Sequence, residues 1–163
     1  MGYFGLVAGI VVLDQASKYY MSSILALCQP GRCETIEILP VFQLMLLHNP
    51  GAAFSFLADA GGWQRWLLLL ISLVVSLIIG VWLHRAQQDR LLALALAFIL
   101  GGALGNLVDR ALHGYVVDFL LVHYQDWYFP AFNLADSAIT LGAALLILEM
   151  FVGKKDTLEK TNA

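Results

Sequence analysis

Two uninterrupted apolar runs constrain this chain more than any other feature. Trp66–Leu83 and Leu91–Val108 are each 18 residues long and hold no charged side chain, and the second is polar only at Asn106. A helix needs about 20 apolar residues to cross the hydrocarbon core of a bilayer. Phe4–Ile24 and Ala131–Phe151 are two more runs of spanning length, each interrupted by ionisable residues. Hydrophobic residues make up 60% of the chain and charged residues 13%, against about 45–50% and about 25% in a soluble domain. The excess apolar surface must face lipid. The expectation is an all-α polytopic membrane protein forming a single membrane domain over residues 1–163. Its four transmembrane helices fall at about 4–24, 66–84, 91–109 and 131–151.

No Lys or Arg precedes the first apolar run, and Asp14 and Lys18 interrupt it, so it reads as a retained helix and not a cleavable signal. The stretch ILALC ending at Cys28 faintly resembles a lipoprotein cleavage box, but Leu27 is too large for the position before the cysteine. Between helices 1 and 2, the segment at about 33–60 alternates like strand. Ile36 and Ile38 flank Glu37, Phe42–Leu47 is apolar, and Phe54 and Phe56 flank Ser55 after a Pro50–Gly51 turn. It reads as a small antiparallel sheet on the membrane surface. Residues Ala111–Pro130 join helices 3 and 4 on the same side, with interfacial aromatics. Gly101 and Gly105 mark a close helix contact on helix 3.

Of nine basic residues, Arg85, Arg90, Lys154, Lys155 and Lys160 fall in the 2–3 turn and the tail, while Arg32, Arg65 and Arg110 fall in or beside the long loops. This bias places the termini in the cytoplasm and the sheet outside. In that oxidising compartment Cys28 and Cys33, flanking the turn-like Gln29-Pro30-Gly31-Arg32, are placed to form a disulfide; two free thiols are the alternative. They make no zinc site. A net charge of −3 with no basic tract excludes nucleic acid as a partner.

Carboxylates at membrane depth cost about 2.5–3.5 kcal/mol on insertion scales and are rare unless they pair or work. Asp14, Asp109 and Asp136 lie in or at the edge of the helices, and Asp118 lies between the last two. Given the helix directions, they converge on one leaflet. Asn106, Asp109 and Arg110 share a helix side, as do Asn133 and Asp136, and Asp14 and Lys18. Each residue alone has a plainer reading. Asp14–Lys18 is an intrahelical ion pair, Asp109–Arg110 an interfacial anchor, Asp118 a solvated loop acid, and Asp136 a helix-start charge. His48, His113 and His123 are scattered and read as surface residues, not ligands. There is no HExxH motif and no serine–histidine pair at a useful spacing. Two carboxyls sharing one proton remain, able to activate water and protonate a peptide carbonyl without metal or cofactor. A proton channel and a non-enzymatic membrane subunit are the rival classes.

Five segments resemble the motifs of lipoprotein signal peptidases (signal peptidase II), in the same order. They are LDQASK at Leu13–Lys18, HNPGAAFSF at His48–Phe56, GGALGNLVDR at Gly101–Arg110, VVDF at Val116–Phe119 and FNLADS at Phe132–Ser137. The resemblance implies an intramembrane aspartic endopeptidase of the bacterial cytoplasmic (inner) membrane. Such an enzyme removes signal peptides from diacylglyceryl-modified prolipoproteins, cutting before the lipid-modified cysteine. It implies Asp118 and Asp136 as the catalytic pair. Asn49, Asn106, Arg110 and Asn133 become substrate-binding or site-organising residues, and Asp14 and Asp109 structural acids. Four helices with an extracytoplasmic β-sheet cradle, no metal, no cofactor and a monomeric state are expected, with prolipoprotein and membrane phospholipid as partners.

Overall fold

The computed structural model of the chain describes residues 2–51 and 63–161. Four helices, α1 (Gly2–Ile24), α2 (Gln64–Arg85), α3 (Arg90–Leu112) and α4 (Leu134–Thr161), accompany four strands, β1 (Thr35–Leu39), β2 (Phe42–Asn49), β3 (Val116–Tyr124) and β4 (Trp127–Tyr128). Three stretches, Arg65–Arg85, Arg90–Leu112 and Leu134–Val152, are long and apolar enough to cross a membrane, with mean hydropathies of 2.7, 2.3 and 1.7. The chain is a multi-pass membrane protein. α1 is as long as α3, but Asp14 and Lys18 are buried within it.

α3 is the central helix and touches the other three. Its inward face is built from small residues, Ala93, Ala95, Ala97, Gly101, Gly102 and Gly105, all buried. These let backbones approach where side chains would hold them apart. A Cβ on Gly101 would stand 2.8 Å from Cβ of Ile10 on α1, and one on Gly105 would stand 2.6 Å from Oδ2 of Asp14. A Cβ on Gly102 would collide with the carbonyl oxygen of Ala135 on α4. The close contact read at Gly101 and Gly105 is therefore real, and Gly102 extends it to α4. α2 packs against α3 and exposes Leu70, Ile71, Leu77, Ile78 and Val81. Those apolar side chains are its lipid face.

Asp89 caps α3, accepting from the Leu92 N–H at 3.1 Å. At the other end Gly114, at φ 84°, turns the chain out of α3 into β3. The sheet is antiparallel throughout, in the order β1-β2-β3-β4. Its first two strands come from the segment read as sheet. The other two come from the segment between α3 and α4, which the sequence offered only as a loop with aromatics. β3 pairs along one edge with β2, two helices earlier in the chain, and on the other with β4 and, at Leu120, with Phe132. Phe54 and Phe56 lie outside the described residues. Cys28 and Cys33 are disulfide-bonded, closing the loop that hydrogen-bonds to β2 through the Cys28 N–H and the Leu46 carbonyl at 2.8 Å.

Candidate active site

Alternation along β3 sends Val117 and Asp118 to opposite faces. Val117 packs with Leu25 and Leu46. Asp118 enters the wall of a cavity of about 980 Å³ bounded by β2, β3, α3, α4 and the Phe129–Phe132 segment. Asn49, Asn106, Arg110 and Asp136 line the same cavity, whose far end is apolar, with Phe129, Ile139, Leu141 and Ala144. Polar chemistry at one end and hydrocarbon along the rest suits a ligand that is part peptide and part apolar chain.

Asp136 is positioned by the start of α4. The Asn133 Oδ1 accepts from the Asp136 N–H at 2.9 Å, and Asp136 Oδ2 accepts from the Asn133 N–H at 3.3 Å. This is the reciprocal logic of a capping box. The other carboxylate oxygen of Asp136 accepts from Asn106 Nδ2 at 2.8 Å. Asn133, fully buried, also donates from Nδ2 to Asp118 Oδ1 at 2.7 Å. One asparagine thus holds both acids. Asn49 Nδ2 donates to the second oxygen of Asp118 at 3.1 Å, while its own Oδ1 accepts from the Gly51 N–H at 3.1 Å and closes the turn around Pro50. Arg110 Nη2 reaches the Gly51 carbonyl oxygen at 3.5 Å. Burial, and then the charge of Asp136, push the Asp118 carboxyl up to about 7; the hydrogen bonds from Asn49 and Asn133 and the charge of Lys18 oppose that rise.

Asp14 and Asp109 lie behind this wall. Lys18 bridges them, at 2.7 Å from Asp14 Oδ2 and 2.9 Å from Asp109 Oδ2. The intrahelical pair read from the i, i+4 spacing is present, but Asp109 pairs with Lys18 and not with its sequence neighbour Arg110. Adjacent residues on a helix point about 100° apart, so Arg110 turns to the cavity while Asp109 turns to α1. Gln15 is an addition to the residues named from the sequence. Its Nε2 donates to Asp109 Oδ1 at 2.8 Å and to the Gly105 carbonyl at 3.1 Å; its place inside LDQASK was the only available signal. Two of the three histidines named from the sequence lie together. His48 and His113 both stack on Tyr115, with ring centroids 4.0 and 5.6 Å away. Burial and the nearby His113 hold His48 below the usual imidazole range. His123 stacks on Tyr128, and both its ring nitrogens are buried without a hydrogen-bond partner among the described residues. A second cavity of about 490 Å³ lies beside Lys18 and Tyr115.

A family model described as signal peptidase (SPase) II matches residues 6–152. A lipoprotein signal peptidase of Pseudomonas syringae pv. tomato is 55% identical over 157 residues, covering 95% of this chain and 88% of its own. One from Pseudomonas paraeruginosa is 56% identical over 148 residues, covering 90% and 85%. One from Cellvibrio japonicus is 49% identical over 158 residues, covering 95% and 90%. Two solved structures, each described as a bacterial membrane enzyme, superpose with TM-scores of 0.81 and 0.77. They share 25% and 26% identity and cover 95% and 91% of this chain and 90% and 92% of theirs. The chain belongs to the signal peptidase II family.

Proposed function

We propose that the chain removes signal peptides from diacylglyceryl-modified prolipoproteins, cleaving before the lipid-modified cysteine, with Asp118 and Asp136 as the catalytic acids. The observation that carries this is the joining of two carboxylates from different elements through Asn133 and Asn106 at the polar end of one long, largely apolar cavity. The dyad holds one proton and one water. The ionised acid takes a proton from the water as it attacks the peptide carbonyl. The neutral acid donates to the carbonyl oxygen, and the proton later passes to the leaving amine. Asn49, Asn106 and Asn133 fix the carboxyl planes, and Arg110 faces the peptide or the lipid ester oxygens.

In this reading α1 is the fourth span, buried against α3 so that its charges never meet lipid. The termini are cytoplasmic, the dyad lies toward the outer leaflet of the inner membrane, and substrate enters sideways between helices. The protein works as a monomer in one membrane domain. The test is turnover of a diacylglyceryl-modified prolipoprotein by the purified chain in the presence of a chelator. Release of the intact signal peptide is expected, with the lipidated cysteine as the new N-terminus. No cleavage by folded protein, or loss of cleavage to the chelator, overturns the proposal.

A further inference from the structure

We infer that Lys18 is the positioning residue that sets the placement of both acids. This rests on Asp118 and Asp136 being the catalytic pair. An ammonium has three protons and no acceptor. In Lys18, which is buried, all three are committed, to Asp14 Oδ2 at 2.7 Å, Asp109 Oδ2 at 2.9 Å and Asn106 Oδ1 at 3.0 Å. Each of these three partners then grips one side of the dyad. Asp14 Oδ1 accepts from the N–H of Ala135, the residue before Asp136, at 2.9 Å. Asp109 Oδ2 accepts from the N–H of Val117, the residue before Asp118, at 3.0 Å. Asn106, whose Oδ1 faces a group that can only donate, must turn its Nδ2 toward Asp136 Oδ1, 2.8 Å away.

The two backbone contacts locate α4 and β3 relative to α1, and the amide contact sets the carboxyl plane of Asp136. The ion pair with Asp14 alone would serve to keep a lysine inside a helix bundle. The bond to Asn106 serves no such need, and it is the branch that leads to the reacting oxygen. Asn133 Nδ2 also donates to Asn106 Oδ1, at 3.2 Å, so without the ammonium the amide loses its charged tether and keeps only a longer neutral one, and its hold on Asp136 loosens. Arg110 is the other cation near the pair, but it lines the cavity and its guanidinium reaches the Gly51 carbonyl oxygen.

The test is a double-mutant cycle on purified protein, reading kcat, KM and the melting temperature together. Lys18→Met with Asp109→Asn removes the ammonium and one of its carboxylates, leaving the net charge of the cluster unchanged. Asn106→Leu cuts the amide branch and leaves the ion pairs. The paired variant is expected to lower kcat by about 30- to 100-fold with KM within about threefold, because a misplacement near 1 Å costs about that much. Adding Asn106→Leu should lower kcat no further, since both changes remove the same constraint. Folded paired variant with kcat within about threefold of wild type overturns the inference, as do losses that multiply. Should the paired variant fail to fold, Lys18→Arg decides, because a guanidinium keeps the charge but not the three-way geometry of the ammonium. Lost kcat at constant KM in folded Lys18→Arg supports the inference, and unchanged kcat overturns it. Wild-type protein that cleaves nothing in the same assay sinks the functional reading instead, so the two failures are distinct.

Discussion

Asp118 and Asp136 are held by different means. Asp136 is fixed by the geometry of a helix start, Asp118 by side-chain amides on a strand, and Asn133 belongs to both arrangements. Asp118→Asn and Asp136→Asn should each reduce prolipoprotein turnover by about 10⁴-fold or more, and the double variant should be no slower, because the members of a catalytic unit are not additive. Near-normal turnover by folded Asp136→Asn would show the pairing to be wrong. The raised Asp118 carboxyl also has a sign for stability. The folded state binds more protons than the unfolded state between about pH 4 and 7, so its stability falls as pH rises through that window. Asp118→Asn cannot ionise and escapes that fall. Its melting temperature relative to wild type should therefore be higher at about pH 8 than at about pH 5; a pH-independent difference refutes the placement of the titration. At this scale the sequence was informative about which residues are polar at depth and less so about who pairs with whom. Asp14–Lys18 was legible because both lie on one helix. Asp109–Lys18 was not, because it depends on how closely α1 and α3 approach.

That approach is a property of elements, and glycine sets it. Gly102→Ala places a methyl against the Ala135 carbonyl. It should destabilise the protein by about 1–3 kcal/mol, as overpacking does, and lower turnover, because Ala135 leads into Asp136. Gly9 on α1 has nothing within 4 Å of its missing Cβ. Gly9→Ala should be neutral or stabilising by up to about 1 kcal/mol, the ordinary helix preference for alanine. Thermal melts of the two variants in detergent check the contrast, and equal melting temperatures would refute it. The apolar length of α2, α3 and α4 could be read directly from residue type. The sheet could be read only by half. β1 announces itself by the alternation at Ile36 and Ile38, and β2 by the apolar run Phe42–Leu47. β3 is buried on both faces at Val116–Phe119, so it shows an apolar run broken by one acid, which fits a strand or a short buried helix equally well. The Cys28–Cys33 pairing was legible because the two residues are separated by 5 positions across a turn.

For the molecule as a whole, the distribution of charge and of exposed apolar surface sets the expected topology. α2 shows lipid a nearly continuous apolar surface, and the basic residues of the 2–3 turn and the tail outnumber those beside the sheet. The expected topology is tested by single added cysteines, since the native pair is already bonded. An impermeant maleimide should label Glu37→Cys on intact cells and Ala163→Cys only after permeabilisation; the reverse pattern would invert the topology. The longest-range tie in the site is the hydrogen bond from the Ala135 N–H to Asp14, 121 residues apart. It joins α1 to the start of α4, so the proposed pair of acids would reach its full set of contacts only once α4 has docked against α1, and a chain deprived of α4 is expected to have no cutting power.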